Sequence, residues 1–487
     1  MIALLTVIFS FAGALVCGLL PATAHRRIRW VALLTAMLGL AAAFCCALRY
    51  TGPGMEDVIR QTWIPSMGVA FITGFDGISL PLLLVTGLVA VAGVLFTWNL
   101  DHRANQFYAF YFALIGGVYG VFLSMDLFLL FVFYEIAIVP KYFLIAIWGG
   151  AKREYAAMKL VMYSFGGSAL VLIGMLALFF ASGLNTFDLR VLMTVDFSSG
   201  LQAVVFPVMF VGFAILAGMW PFHTWAPQGH SAAPTAASML LAGVVMKLGA
   251  YGCLRVAVGL LPEGAMVWAP WVAVFAVINI IYGALAALRQ DDFKYVIGYS
   301  SVSHMGFVLL GIGTLHLTGM TGAVLQMFSH GVIGALLFAM VGTVIYTRTK
   351  TRMLDELHRL MERMPGIAWV FIVAALASMG LPGFSGFVSE LYVLLGAWAA
   401  LPTWIVITAG VGVLATFGYT LAKIHEAFFR ERSIGNNGEN DADYPPMTLP
   451  EKAGVALLLG ASLLIGLCPW LLTNHIAGSL QLLLNRF

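Results

Sequence analysis

The sequence predicts an all-α integral membrane protein, and three observations support that prediction. Hydrophobic residues make up 61% of the chain and charged residues only 10%, whereas soluble domains carry about 25% charged residues. Apolar segments of about 20 residues, long enough to cross a bilayer as helices, recur along the whole chain. Two of these segments are interrupted, and irregular backbone at membrane depth persists only where protein or a water-filled cavity surrounds it.

About 14 transmembrane helices fit the sequence at roughly 20 residues per span. We expect three N-terminal helices in residues 1–104, a first five-helix unit in 105–262, a second in 263–432, and a polar loop with the last helix in 433–487. The predicted spans are 2–22, 30–50, 76–99, 106–124, 127–149, 158–182, 201–230, 234–261, 267–288, 295–316, 320–346, 366–399, 403–429 and 452–474.

Basic residues lie mainly in the loops that follow odd-numbered helices. The positive-inside rule places these loops in the cytoplasm and both termini on the non-cytoplasmic side of the membrane. The localisation that we expect is a bacterial inner membrane, which the chain crosses several times. The net charge of only +3 gives no reason to expect a nucleic-acid partner. The basic loop residues are Arg26, Arg27, Arg29, Arg103, Lys152, Arg153, Arg289, Lys294, Arg348, Lys350, Arg352, Arg430 and Arg432.

Two predicted helices are broken. The seventh contains Pro221 and Pro227 beside His223 and His230, and the twelfth contains Pro382 in GLPGFSGF. Because proline lacks an amide donor, no regular helix continues through these positions. The breaks fall at the same place in helices 4–8 and 9–13, and an odd number of helices gives the second unit the opposite orientation, so we predict two inverted repeats. We expect the two histidines to fix the loop rather than carry protons.

Two charged residues lie near the centres of apolar segments: Glu135 in the fifth and Lys247 in the eighth. A lysine at the bilayer centre costs about 2.5–3.5 kcal/mol on insertion scales, so it is expected to face a polar interior. Glu135 is interpreted as a proton site or as half of a buried ion pair, and a structural carboxylate bonded to a hydroxyl is the alternative. Lys247 is its natural partner or the next group of a relay, since it is too central to snorkel.

Five further residues extend the candidate set. Glu390 follows the second break and is predicted to be an exit or terminal proton site, or a cap of the resumed half-helix. His330 could pass a proton between its ring nitrogens or be a hydrogen-bonded structural residue, and His304 is a weaker candidate of the same kind. Lys294 is interpreted as a topological anchor more readily than as a relay. Lys423 corresponds to the lysine of the eighth helix if the repeat is real.

The sequence has no nucleotide-binding loop, dinucleotide fingerprint, nucleophile elbow or metal-spaced cluster. Its cysteines lie in apolar runs without ligand spacing. We therefore expect no metal, no cofactor and no redox or hydrolytic chemistry within this chain. The cysteines are Cys17, Cys45, Cys46, Cys253 and Cys468.

Several long segments resemble the antiporter-like subunits of respiratory complex I, with subunit M (chain 4) as the best match. The resemblance covers nearly the whole chain. The segments are PFHTWAPQGHSAAPTAASMLLAGVVMKLGAYGCLR, DDFKYVIGYSSVSHMGFVLLGI, QMFSHGVIGALLF, FYEIAIVPKYFLIAIWG and GFVSE.

The resemblance implies a 14-helix subunit that lies beside other antiporter-like subunits in the membrane arm of an NADH–quinone oxidoreductase. In that family the residues matching Glu135, Lys247, His330 and Glu390 form the proton path. Quinone reduction elsewhere in the complex drives it, so flavin, iron–sulfur clusters and quinone are expected in partner subunits.

One departure from the family pattern concerns the lysine that modulates the glutamate of the fifth helix. The family usually has it seven residues before the histidine matching His223, and Leu216 stands there in this sequence. Lys141 lies six residues after Glu135, which a regular helix places about 9 Å along the axis and on a different face, although Pro140 could bend that geometry. Our hypothesis is that Lys141 takes over the missing lysine's role; the alternative is an altered or weakened channel.

Three rival functions remain open from the sequence. The first is a subunit of a multisubunit cation/proton antiporter, which shares the core motifs. The second is the membrane subunit of a proton-pumping hydrogenase or formate-linked complex. The third is a purely structural scaffold, which the buried charges argue against.

Overall fold

A computed structural model describes residues 1–430 and 444–487, and helices dominate this part of the chain. Arg432 and the first part of the predicted loop 433–450 lie outside the described residues. The helices are α1 Ile2–Leu19, α2 His25–Arg49, α3 Leu80–Phe96, α4 Ala104–Leu123, α5 Leu127–Trp148, α6 Arg153–Ser182, α7 Ser199–Ala232, α8 Thr235–Val258, α9 Pro262–Leu288, α10 Phe293–Gly313, α11 Leu317–Thr349, α12 in two halves (Pro365–Ser378 and Ser385–Ala400), α13 Thr403–Phe429, α14 Leu449–Leu467 and α15 Trp470–Leu484.

The predicted all-α membrane fold is confirmed. In the described residues, 12 helices are long and apolar enough to cross a membrane, and α3 and the two halves of α12 are shorter apolar helices. With α12 counted as one broken span, the total matches the predicted number. α2 and α6 begin about five residues before their predicted starts, because their basic first turns continue the helix.

A β-hairpin and a further C-terminal helix were not predicted from the sequence. An antiparallel hairpin joins α2 to α3, with strands β1 Glu56–Ile64 and β2 Val69–Phe75. The last predicted helix, 452–474, is two helices, because α14 ends at Leu467 and Pro469 precedes a new helix, α15. The hydroxyl of Ser479 on α15 accepts a hydrogen bond from the Gly77 amide at 2.9 Å, which ties α15 to the turn after β2.

The centre of the bundle consists of α8, α10 and α11. These three helices are buried almost throughout their length, whereas α1, α6, α13 and α14 are largely exposed. A helix that is buried on all sides is expected in the interior of a large bundle. Because the candidate relay residues of the central helices lie in this interior, their polar groups must find partners in the protein or in internal water.

A buried ion pair fixes one end of α8. The guanidinium of Arg255 lies 2.5 Å from each carboxylate oxygen of Asp76, which belongs to the turn between β2 and α3. The phenol oxygen of Tyr251 accepts a further hydrogen bond from Arg255 Nε at 3.3 Å. Both charged side chains are buried, so the pair is shielded from solvent screening and holds α8 against the start of α3.

We expect Arg255→Met to destabilise the subunit by roughly 3–5 kcal/mol, because it leaves the Asp76 carboxylate buried without its partner. The double substitution Asp76→Asn with Arg255→Met removes both charges and should cost less. The midpoint of thermal unfolding in detergent checks both. A double variant as unstable as the single one would show that the uncompensated charge is not the cause.

Candidate functional site

Lys247 lies in a helix that departs from regular α-geometry on both sides of it. α8 contains two π-helical segments, Leu241–Val245 and Cys253–Val258. Such segments are uncommon and are frequently found at functional sites. The Lys247 ammonium is completely buried and donates a hydrogen bond to the carbonyl of Ala242, five residues earlier. The wide turn thus supplies a backbone acceptor for a buried lysine.

His330 on α11 is the side-chain partner of Lys247. Its Nδ1 lies 2.8 Å from Lys247 Nζ, and its Nε2 lies 3.0 Å from the hydroxyl of Ser301 on α10. Two glycines make this contact possible: a Cβ built on Gly243 would lie 3.2 Å from the Gly331 carbonyl oxygen. The helices therefore approach closely where lysine and histidine meet. The structure brings these two predicted residues together.

A second pair, His304 and Glu390, continues from His330. The His304 and His330 rings are 5.6 Å apart between centroids, and His304 Nδ1 lies 3.2 Å from Glu390 Oε1. His304 Nε2 is 3.2 Å from the hydroxyl of Ser378, at the end of the first half of α12. His304, which the sequence made a weaker relay candidate than His330, lies between His330 and Glu390.

A small cavity separates His330 from Glu390. It offers about 10 Å³ to the centres of water molecules, close to the minimum that a single water needs. Its lining is largely polar and consists of His304, Gln326, Ser329, His330, Ile333, Ser378, Gly386 and Glu390. One water at this place would complete a continuous line of hydrogen-bonding groups from Lys247 to Glu390.

Glu135 and Lys141 both face α6. Lys141 Nζ donates to the hydroxyl of Ser164 at 3.1 Å, and the lysine is 1% exposed. Glu135 is half-buried and interacts with Ser168, one turn further along α6, and with the charge of Lys141. In the described residues Glu135 Oε1 has no hydrogen-bond partner. The helical separation estimated from sequence therefore does not isolate the two charges, because both side chains turn toward the same neighbouring helix.

Lys294 and Lys423 are both buried. Lys294 Nζ donates to the Ala233 carbonyl between α7 and α8 at 2.8 Å, and its role as a topological anchor stays a prediction. Lys294 lines a cavity of about 800 Å³ that also includes Arg352. Lys423 lies apart from the central line, and its Nζ is 2.9 Å from Glu426 Oε2 on the same helix.

The two predicted helix breaks are present. α7 is interrupted between Ala217 and the short turn Phe222–Thr224, which places Pro221 in the break, and Pro227 lies in the resumed half. α12 is interrupted around Pro382, between Gly380 and Gly383, which adopt φ of +86° and +102°. A Cβ on Gly380 would lie 3.1 Å from Glu390 Oε2, so the second break packs directly against the carboxylate.

The histidines of the first break are buried against aromatic rings. His223 meets Tyr282 edge-on at 4.9 Å and His230 stacks on Phe338 at 4.7 Å. In the described part of the chain, neither ring nitrogen of either histidine has a hydrogen-bond partner. Their loop-fixing role stays a prediction. Leu216 is buried at the end of the first half of α7.

Comparisons with known proteins agree with this geometry. The family described as NADH:quinone oxidoreductase/Mrp antiporter, transmembrane, matches residues 124–416. The chain is 39% identical to the NAD(P)H-quinone oxidoreductase chain 4 of a Synechococcus strain, over 92% of this chain and 86% of that protein.

Two solved structures share the fold. A chain of respiratory complex I from Thermus thermophilus superposes with a TM-score of 0.91, at 27% identity over 99% of both chains. A chain of the Mrp complex from Dietzia superposes with a TM-score of 0.87, at 22% identity over 100% of this chain and 98% of that one. The matched segment contains all four residues of the line that leads from Lys247 through His330 and His304 to Glu390. The chain belongs to the NADH:quinone oxidoreductase/Mrp antiporter family of membrane subunits.

Proposed function

We propose that this chain is a proton-translocating, antiporter-like subunit of a complex I-type NADH–quinone oxidoreductase. The observation that carries the proposal is the buried contact between Lys247 and His330, followed by the His304–Glu390 pair. The resemblance to chain 4 of quinone oxidoreductases, over nearly the full length of both proteins, supports the complex I assignment.

The Lys247–His330 pair is suited to hold a single proton. Both groups are bases that become cations on protonation, so two protons on atoms 2.8 Å apart would repel each other strongly in a buried site. A proton that reaches Lys247 can therefore pass to His330 Nδ1 and leave by Nε2, which lies 3.0 Å from the Ser301 hydroxyl. His304 and Glu390 then provide the next acceptors, and Glu390 is the proposed terminal site.

Glu135 and Lys141 form the proposed control pair of the first five-helix unit. A lysine beside a carboxylate favours its ionised form, and moving the lysine away favours protonation. Lys141 Nζ donates to Ser164 at 3.1 Å, and in this proposal rotation of its side chain moves its charge toward or away from Glu135. In this proposal a shift of Lys141 changes the protonation state of Glu135. Lys294, beside the large cavity, is the proposed connection of Lys247 to solvent.

The remaining parts of the proposal concern the assembly. The two units 105–262 and 263–432 act as inverted halves, with both termini on the non-cytoplasmic side of a bacterial inner membrane. Electron transfer takes place in partner subunits that hold flavin, iron–sulfur clusters and quinone, and this chain contributes no redox step. Neighbouring antiporter-like subunits lie against it in the bilayer.

Affinity purification of the tagged chain from gently solubilised membranes tests the assembly. We expect mass spectrometry to identify peripheral flavin and iron–sulfur subunits together with other membrane-arm subunits. Co-purification of small membrane subunits alone would identify a cation/proton antiporter, which the likeness to the Mrp complex allows. Hydrogenase subunits would assign the same proton path to another electron source. Either of these two results contradicts the proposal.

We expect Lys247→Met to lower proton-coupled quinone reduction by at least about tenfold, equivalent to ~1.4 kcal/mol. Methionine keeps the bulk of the side chain but cannot accept a proton, so His330 loses its donor. Proton uptake by the assembled complex in proteoliposomes measures the effect. Lys452→Met, at an exposed lysine near the start of α14, is the matched control. Proton transfer that survives Lys247→Met would exclude the relay.

The role of Lys141 is tested by moving the lysine from α5 to position 216 on α7. Lys141→Leu should suppress proton transfer as strongly as Glu135→Gln, because either change removes half of the control pair. Adding Leu216→Lys to the Lys141→Leu chain restores a lysine at the family's usual position and should recover pumping. Proton uptake and complex assembly are measured for each variant. If Lys141→Leu pumps normally while Glu135→Gln does not, the lysine has no part in control.

A further inference from the structure

We propose that Asn279 on α9 is a positioning residue, which ties the break of α7 to the part of α10 that contacts His330. The inference rests on the proposed function, because His330 is one of the proposed proton carriers. In the proposed division of the chain α7 belongs to the first five-helix unit, and α9 and α10 belong to the second. This one side chain therefore joins the two units beside the place where the relay passes from Lys247 to His330.

The Asn279 side chain is completely buried, and both ends of its amide bond to main chain. Its Oδ1 accepts a hydrogen bond from the Trp220 amide at 2.7 Å, and its Nδ2 donates to the Val302 carbonyl at 2.8 Å. Asparagine is a poor helix former, and burying an amide is costly unless it is hydrogen-bonded. Asn279 therefore serves the two neighbouring segments rather than the helix that carries it.

The first contact of Asn279 lies where the two halves of α7 separate. The amides of Gly218 and Met219 still bond to carbonyls of the first half of α7, and the Trp220 amide is the first after them to bond to another helix. The Trp220 ring also stacks on Phe275, one turn before Asn279 on α9, with 6.3 Å between the ring centroids. α9 thus holds this residue of the break by its main chain and by its ring.

The two halves of α7 are packed against different helices of the relay. The first half lies so close to α8 that Gly249, two residues after Lys247, has no room for a Cβ beside the main chain of α7. The resumed half packs against α10, where a Cβ built on Gly298 would lie 2.9 Å from Pro227 Cα. The break is therefore the joint between the helix that carries Lys247 and α10, and Asn279 bonds to that joint.

The second contact of Asn279 reaches the residues of α10 that face the relay. Val302 follows Ser301, whose hydroxyl lies 3.0 Å from His330 Nε2, and it precedes His304 by two positions. A carbonyl oxygen has two lone pairs, so that of Val302 can accept from Asn279 while it remains in the helix. Hydrogen bonds between N and O are usually about 2.7–3.2 Å long, so a shift of α10 by a few tenths of an ångström is enough to weaken the His330–Ser301 contact.

Asn279 thereby makes the position of Ser301 depend on the position of the break. If the Trp220 amide moves away from α9, Asn279 either loses this partner or moves with it and displaces Val302. The first course leaves buried polar groups without a hydrogen bond, which is costly. Direct contacts of this kind are the physical network that coupling between two sites requires. Asn279 therefore keeps Ser301 within reach of His330 only while the break stays packed against α9.

Hydrogen–deuterium exchange of the assembled complex, read in peptides that span Trp220, tests the structural link. Asn279→Leu removes both hydrogen bonds at similar side-chain size and should speed exchange of the Trp220 amide severalfold. Ser303→Ala is the matched control, because it removes the 2.8 Å bond from Ser303 Oγ to the Ile280 carbonyl, which also joins α10 to α9 but does not touch the break. It should leave exchange at Trp220 unchanged. Unchanged exchange in the Asn279→Leu complex would overturn the proposal.

A double-mutant cycle on proton uptake shows whether Asn279 acts through Ser301. Asn279→Leu should lower proton uptake by about tenfold, within the range that a misplaced reacting group costs. Ser301→Ala alone should also lower it, and adding Asn279→Leu to that chain should lower it no further. Ser303→Ala should leave proton uptake unchanged. Effects of Asn279→Leu and Ser301→Ala that multiply would indicate independent structural damage and would contradict the proposal.

Phe275→Leu decides the matter if the Asn279→Leu chain does not assemble, as judged by native gel. It removes the ring that stacks on Trp220 and leaves both hydrogen bonds of Asn279 in place. Faster exchange at Trp220 is expected together with lower proton uptake, and Ser301→Ala should again mask the second effect. Faster exchange with full proton uptake, or unchanged exchange, would sink the inference.

Failure of the proposed function would look different from failure of this link. It would appear as the wrong co-purifying subunits, or as proton transfer that survives Lys247→Met. The exchange measurement needs no electron transfer and no proton gradient. Its result for Asn279→Leu therefore stands whichever assembly the chain belongs to.

Discussion

The need to hold the Lys247 ammonium inside an apolar bundle constrains the rest of this structure. An uncompensated charge at that depth is costly, and α8 meets the cost with a widened turn that exposes the Ala242 carbonyl and with a histidine from α11. The histidine reaches the lysine only because the glycines of α8 and α11 let the two backbones approach. The widened turn of α8, the two glycines and the contact with His330 therefore all serve the burial of Lys247.

The buried Asp76–Arg255 and Lys247–His330 pairs differ in how their charges interact. Asp76 and Arg255 form a complete ion pair in which opposite charges satisfy each other, so the pair is static and fastens α8 to α3. Lys247 and His330 are two bases that compete for one proton, so their most favourable state changes with the surrounding charge. Under the proposed function, the static pair keeps the helix in place while the pair of bases, nearer the middle of the same helix, changes its protonation state.

The sequence predicted the elements that depend on local composition. Spans follow from the length of apolar runs, and the breaks follow from Pro221 and Pro382, which interrupt hydrogen bonding wherever the helix packs. It did not predict that His304 lies against Glu390, because that contact joins α10 to α12 and depends on packing across the bundle. The β1–β2 hairpin and α15 were missed because a short strand pair and a short amphipathic helix give weak signals beside long apolar spans. The burial of Lys294 was missed because a lysine at a helix start usually reaches water.

The position of Lys141 changes the way in which the first unit can be controlled. When a glutamate and its lysine lie on different helices, as the family resemblance implies, a relative movement of the two helices separates the charges. Glu135 and Lys141 lie on one helix, so no movement of α5 as a rigid body alters the distance between their backbones. Under the proposed function, control comes from rotation of the Lys141 side chain, whose hydrogen-bond partner on α6 is Ser164, one turn from Ser168. On that proposal α6, rather than α7, is the helix whose displacement would set the charge of Glu135.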